Sequence, residues 1–213
     1  MQDLINALQA RQLIYKVLSG LYQIEVDEEE LRNLKGLEFP VGTGSDALDE
    51  GSRKLNAAVA TLTKDDLDEL AADYARVFLS AGIADGPAAY PFESVYTSRD
   101  KLIMQDAYEQ MLKILKEHGM GTSKEDLYPD HLGIELEFMS FLTEKAVKAL
   151  EAGKEDEAAA ILDEEKEFLT KHLLNWTGKF FDDFDQCAGT DFYKALSLFT
   201  RAFIAEDAKW LLD

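Results

Sequence analysis

Five side chains of this chain could form metal-binding or catalytic pairs. His131 and Glu135 are one helical turn apart, so an imidazole and a carboxylate could share a metal ion. Ser94 with His131 would be the residue types of a nucleophile and its base. Asp130 with Glu93 would be those of a paired acid and base. Two ligands do not make a metal site, however, and no spacing supports the other pairs, so a helical metal-binding protein or enzyme centred on His131 stays the alternative hypothesis.

The wider signatures of catalysis are absent from the sequence. The three histidines have Leu115, Tyr128 and Leu169 three positions before them, so the Glu-x-x-His pairs of a di-iron bundle are missing. No GxGxxG, GxxxxGK[ST] or GxSxG segment occurs. The single cysteine, Cys187, excludes an internal disulfide and a cysteine-based zinc site. We therefore expect no enzyme activity, no catalytic residue, no metal and no cofactor.

The net charge of the chain limits which classes of molecule it is expected to bind. The 213 residues include 42 acidic and 22 basic side chains, for a formal net charge of −20. Such a surface repels nucleic-acid phosphates and anionic lipid, and it attracts a basic peptide. The other interpretation of the charge is that it only keeps the protein soluble. No signal-peptide pattern and no apolar run of membrane-spanning length is present. The sequence predicts a cytoplasmic protein with no nucleic-acid partner and no stable membrane insertion.

Apolar residues recur at helical spacing along nearly the whole chain, and proline is scarce. No stretch alternates at period two for long enough to predict a strand. The fold class is therefore all-α: one domain over residues 1–213, built as a helical bundle with one extended aromatic loop. The predicted helices cover residues 4–22, 27–34, 46–62, 63–80, 99–118, 129–152, 154–174, 175–186 and 190 onward. Thr63 is expected to cap the fourth of these helices, with Asp66 three residues on as a capping-box-like partner.

The most apolar of these helices begins at Pro129, Asp130 and His131, which places a titratable ring at its entrance. Proline suits the first helical turn because its missing N–H has no partner there. Asp130 is expected to supply acceptor oxygens to the N-terminus of this helix. A helix that is apolar over so much of its circumference is predicted to lie centrally in the bundle.

The extended loop is predicted to cover residues 81–98, where Gly86, Pro87 and Pro91 break any helix. Loops of this length inside a compact domain are often functional. A loop with several aromatic side chains and Glu93 suits a groove for a peptide with an apolar helix and arginines. Ordinary core packing is the other interpretation of the aromatic side chains. They are Tyr90, Phe92 and Tyr96.

Three local segments carry a family resemblance. They are Tyr74-Ala75-Arg76-Val77-Phe78, Pro91-Phe92-Glu93-Ser94-Val95-Tyr96 and Tyr128-Pro129-Asp130-His131. In this order, within an acidic helical chain, they resemble the TorD/DmsD family of redox enzyme maturation proteins. The chain has tyrosine and phenylalanine in the loop where DmsD favours tryptophan, so the identity of the client enzyme stays open.

The resemblance implies a TorD-like cytoplasmic chaperone and not an enzyme. Its expected partners are the twin-arginine signal peptide and the apo form of a molybdenum-containing oxidoreductase of the DMSO/TMAO reductase type. The chaperone would assist cofactor insertion and proofread the enzyme before Tat export. We expect a monomer, and the resemblance leaves a domain-swapped dimer as a second option. The matched residues are then the expected signal-peptide-binding set, lining one cleft: Tyr74, Phe78, Pro91, Phe92, Glu93, Ser94, Tyr96, Pro129, Asp130 and His131.

Overall fold

The structure, a computed structural model, describes residues 1–79, 88–121 and 127–212. Within these ranges the chain is helical, without a strand, and its one strand-like feature is an isolated antiparallel bridge between Phe92 and His131. The all-α prediction is confirmed. The helices are α1 (Gln2–Gln23), α2 (Glu28–Lys35), α3 (Asp46–Thr61), α4 (Leu67–Phe78), α5 (Glu93–Thr97), α6 (Asp106–Glu117), α7 (Leu132–Glu151), α8 (Glu155–Phe168), α9 (Thr177–Cys187) and α10 (Asp191–Leu212).

Two short elements extend this set, a 3₁₀ turn at Lys64–Asp66 and a π-helix at Leu169–Leu173 that continues α8. In the ranges described, no helix combines the length and the apolar content that crossing a lipid bilayer requires.

The chain divides into two compact units. The first contains Met1–Gln23, Pro91–Trp176 and Trp210–Asp213, and the second contains Ile24–Tyr90 and Thr177–Lys209. Each unit is described separately below. The assignment of residues 1–213 to one domain stays a prediction.

The first unit is organised around α7, which packs against α1 and α8. Its apolar side chains are buried on nearly all sides, as the sequence predicts for a central helix. Gly133 allows the close approach of α1, because a Cβ atom there would lie 2.5 Å from Gln23 Cγ and 3.1 Å from the Ser19 carbonyl oxygen. The Ser19 hydroxyl donates to the Gly133 carbonyl at 2.8 Å. Charge is also buried in this unit, where Arg11 forms an ion pair with Glu165.

The second unit has an aromatic core. The Phe78 ring lies 4.9 Å from Tyr74, 5.1 Å from Phe184 and 5.9 Å from Tyr193, centroid to centroid. The predicted capping box before α4 is present, since Thr63 and Asp66 bond reciprocally. Fully buried Asp73 accepts hydrogen bonds from the backbone N–H groups of residues 189 and 190. Asp73 thereby fixes the connection that leads into α10.

Three predicted boundaries are wrong. The helix predicted from Pro129 begins only at Leu132, with His131 as its N-cap, so Pro129 lies before its first turn. The predicted loop 81–98 contains a short helix, α5, while its residues 81–87, including Gly86 and Pro87, lie outside the described residues. The helix predicted from Arg99 begins only at Asp106, because Lys101 and Met104 have φ angles of 53° and 59°. This left-handed backbone is incompatible with a right-handed helix.

Candidate functional site

The structure brings together two of the segments that carry the family resemblance. The Glu93 N–H donates to the Asp130 carbonyl at 2.9 Å, and the Leu132 N–H donates to the Pro91 carbonyl at 2.8 Å. Between these bonds lies the antiparallel bridge of Phe92 and His131. We call residues 91–94 together with residues 129–132 the joint. The joint connects the start of α5 to the start of α7.

Two polar side chains of the joint, Asp130 and His131, cap helices, but not as predicted. Asp130 was expected to accept at the start of its own helix, α7. Instead its Oδ2 accepts from the Ser94 N–H at 3.0 Å, at the start of α5. The N-cap of α7 is His131, whose Nδ1 accepts from the Gly133 N–H at 3.0 Å. Asp130 and His131 are therefore buried structural residues as well as candidates for function, and burial raises the pKa of Asp130.

Most of the predicted site residues have little contact with solvent. Pro91, Ser94, Pro129, Asp130 and His131 are buried. The exposed surface of this region comes instead from two aromatic side chains that are only half-buried, Phe92 and Tyr96.

The two half-buried rings are held by other rings. Phe92 lies edge-on to His131, with 5.2 Å between ring centroids, and Tyr96 stacks on Trp176 at 5.6 Å. These contacts restrict both rings, so each presents a fixed apolar edge.

Tyr74 and Phe78, also predicted to bind the peptide, are buried in the aromatic core of the second unit. Burial raises the pKa of Tyr74 to about 12. Their place in the expected cleft stays a prediction.

Glu93 holds the centre of a polar network in the first unit. Glu93 is 3% exposed, and its Oε2 lies 2.8 Å from His172 Nδ1. Its Oε1 accepts from Asn175 Nδ2 at 2.7 Å. Burying a carboxylate is costly unless such partners compensate for lost hydration. Glu93 nevertheless lines an open cavity of about 400 Å³, together with Asp100 and Asp106.

A second carboxyl group lies behind Glu93. Glu135 is fully buried, and its Oε2 accepts from Trp176 Nε1 at 3.1 Å. Burial, followed by the neighbouring charge of Glu93, raises the pKa of Glu135 well above its usual range.

The metal hypothesis finds no support in this geometry. The His131 Nδ1 accepts a backbone N–H, while Glu135 bonds to Trp176. Across residues 1–79, 88–121 and 127–212, no group of three or more His, Cys, Asp or Glu side chains is arranged to hold a metal ion.

Sequence reasoning missed His172, Asn175 and Trp176. These residues are far in the chain from the glutamates that they contact. For example, 79 positions separate His172 from Glu93. His172 also lies in the π-helix, whose wider turn departs from the helical period. Leu169 and Leu173 continue the apolar spacing of the preceding helix, so the sequence carried no signal for these partners.

Comparisons with known proteins agree with the sequence motifs. Residues 45–182 match the family described as nitrate reductase delta subunit. The chaperone protein TorD of Photobacterium profundum is 31% identical, covering 100% of this chain and 99% of that protein. TorD of Vibrio cholerae is 31% identical, covering 100% and 96%.

A solved structure supports the same fold. The redox enzyme maturation protein from Archaeoglobus fulgidus superposes with a TM-score of 0.55 over 95% of this chain and 94% of that one. At 17% sequence identity this likeness concerns the fold alone. The family match and the relatives together identify the chain, which belongs to the nitrate reductase delta subunit family and, within it, to the TorD chaperones.

Proposed function

We propose that this chain is a cytoplasmic chaperone for an exported molybdenum-containing oxidoreductase of the DMSO/TMAO reductase type. It binds the twin-arginine signal peptide and the apo form of the enzyme, assists cofactor insertion and delays Tat export until the cofactor is present. The observation that carries this proposal is the position of Glu93, a buried carboxylate held at the wall of an open cavity.

Glu93 suits recognition of an arginine. Its two oxygens are oriented by His172 and Asn175, so the carboxylate is fixed before a ligand arrives. A fixed carboxylate in a partly desolvated cavity binds a guanidinium group more strongly than a mobile surface carboxylate does. Asp100 and Asp106 line the same cavity and add negative charge.

The predicted site residues divide into two roles under this proposal. Phe92, Glu93 and Tyr96 contact the peptide, because they offer surface or line a cavity. The buried residues of the joint act as positioning residues that hold α5 and therefore Glu93. Those residues are Pro91, Ser94, Pro129, Asp130 and His131. A contribution of Tyr74 and Phe78 remains part of the proposal.

The experiment is a calorimetric titration of the whole chain with a synthetic peptide that carries Arg-Arg followed by an apolar run of about ten residues. We expect saturable binding by a monomeric chaperone, weakened but not abolished by added salt, because salt screens the charge contacts and not the apolar ones. A matched Lys-Lys peptide has equal charge but cannot form bidentate bonds, and we expect it to bind more weakly.

Absence of binding to the Arg-Arg peptide, or equal affinity for the Lys-Lys peptide, would contradict the proposal. Co-purification from the native host identifies the enzyme client. Recovery of partners without a twin-arginine signal peptide would contradict the assignment of the client class.

A further inference from the structure

An open groove runs along the outside of α6 in the first unit. Two cavities, of about 330 Å³ and 400 Å³, are both lined by Gln110 and Lys171, so they adjoin at these two side chains. We call the pair of cavities the α6 groove. One wall is a single stripe of α6, and the other is the stripe that runs along α8 and the π-helix from Glu164 to His172. With a rise of about 1.5 Å per residue, α6 gives the groove a length of about 16 Å.

The two ends of the α6 groove differ in chemistry. The larger cavity is polar and contains Glu93, Asp100 and Asp106. The smaller cavity has an apolar surface formed by Ile114, Phe138 and Phe168. Its carboxylates, Glu117, Glu164 and Glu167, each contact a basic side chain. Among the described residues, the groove therefore offers unpaired carboxylates, Asp100 and Asp106, at one end, and aliphatic and aromatic carbon between paired charges at the other.

The negative charge of the polar end is not neutralised internally. Lys171 pairs with Glu167, and Lys113 lies 3.8 Å from Glu117. In the described chain, Asp100 and Asp106 have no ion-pair partner. With Glu93 they outnumber Arg99, the one lysine or arginine lining the described cavity that is not already paired with a carboxylate. This end is complementary to one or two positively charged side chains.

The segment before α6 adds exposed apolar surface beside the polar end. Leu102, Ile103 and Met104 are 57%, 40% and 51% exposed. The left-handed φ angles of Lys101 and Met104 maintain this conformation at an energetic cost. Residues 99, 100 and 105 of the same segment line the polar cavity. A peptide that placed its charges in this cavity would also cover these apolar side chains.

We infer that the α6 groove is the binding path of an arginine-bearing apolar peptide. The guanidinium groups enter the cavity of Glu93, Asp100 and Asp106, and apolar residues follow α6 toward Ile114 and Phe168. The inference rests on the proposed function and adds the location and direction of the peptide. The joint, which contains the residues of the family motifs, then acts by fixing Glu93 at one end of the groove.

The test compares two bulky substitutions on α6. Gln110→Trp obstructs the point where the two cavities meet, and Leu112→Trp adds an indole to an exposed position that lines neither cavity. The probe is the Arg-Arg peptide, titrated into the full chain. We expect Gln110→Trp to weaken affinity by about tenfold or more, because an obstructed groove loses its central contacts, and Leu112→Trp to leave it unchanged.

A second pair of variants tests the direction of the peptide. Asp100→Asn combined with Asp106→Asn should weaken binding of the Arg-Arg peptide and reduce its advantage over the Lys-Lys peptide. An amide lacks the second charged oxygen with which a carboxylate binds a guanidinium group. Asp68→Asn, an exposed carboxylate in the first turn of α4, is the matched control and should change neither value. Thermal melting confirms that each variant is folded.

The possible outcomes separate the two proposals. Wild-type affinity in folded Gln110→Trp, or an unchanged Arg-Arg preference in the double variant, would overturn the groove and leave the signal-peptide function standing. Failure of the wild-type chain to bind the Arg-Arg peptide would overturn both. Equal losses in Leu112→Trp and Gln110→Trp would overturn the groove as the specific path.

Discussion

The joint and the α6 groove are neighbours in the first unit but are built in opposite ways. In the joint, Asp130 and His131 are buried, and each accepts a backbone N–H at the start of a helix. In the groove, Asp100 and Asp106 are exposed and have no ion-pair partner in the described chain. A region whose buried side chains cap backbone N–H groups stabilises the fold, whereas a region with unpaired charge beside apolar surface is available for a ligand. The residues that identify the family are thus mainly those that hold the binding surface in place.

The largest expected effect is on the stability of the joint. Asp130→Ala leaves the buried Ser94 N–H without its acceptor, which costs about 1–3 kcal/mol of unfolding free energy. Urea unfolding followed by tryptophan fluorescence measures this loss. The control is Asp130→Asn, whose side-chain oxygen can still accept, and it should recover most of the stability. An Asp130→Ala protein with unchanged stability and reduced peptide affinity would place Asp130 among the contact residues.

The next effect is on binding through Glu93. Glu93→Gln keeps an oxygen for Asn175 and an amide group for His172 but removes the charge at the wall of the groove. We expect the affinity for the Arg-Arg peptide to fall by about tenfold, or about 1.4 kcal/mol, with a smaller change in melting temperature. Calorimetric titration and thermal melting of the same samples separate the two quantities. A large loss of stability with unchanged affinity would assign Glu93 to the joint alone.

The smallest effect concerns pH and Glu135. Burial and the neighbouring Glu93 raise the pKa of Glu135, so the folded state favours the protonated form. The resulting stability is fully present below the unfolded pKa of about 4.3, and it is lost as pH rises through the folded pKa. Glu135→Gln cannot ionise and should be more stable than wild type at neutral pH.

Denaturant unfolding from pH 4 to pH 8 measures this difference in unfolding free energy. The extra stability of Glu135→Gln over wild type should shrink toward zero as the pH approaches 4, because glutamate and glutamine at position 135 are then both neutral. A difference that is constant with pH, or that grows on acidification, would contradict the raised pKa.

Sequence reasoning succeeded where structure follows from local periodicity. The apolar stripe of α7 and the Thr63–Asp66 capping box depend on neighbours a few positions apart, and both were predicted. The start of α5 depends on Asp130, which lies 36 positions from Ser94 in the chain. The late start of α6 depends on left-handed backbone at non-glycine residues, for which sequence offers no reliable signal.

In the candidate site, too, features set by neighbouring residues were predicted and features set by distant residues were not. The segments of the joint were recognised because their residues are contiguous and resemble a family motif. The partners of Glu93, His172 and Asn175, come from the end of a distant helix, and no local pattern connects them. The groove was not predicted, since Gln110 and Lys171 are ordinary polar residues until the fold places them together.

Photo-crosslinking shows whether the groove binds the peptide while the joint supports it. A benzophenone amino acid placed next to the arginine pair of the Arg-Arg peptide would be irradiated in complex with the whole wild-type chain. Mass spectrometry then identifies the attached residues. We predict crosslinks within residues 97–118 and 164–175, which line the groove. Crosslinks confined to residues 67–78 of α4, or absent from both walls, would contradict it.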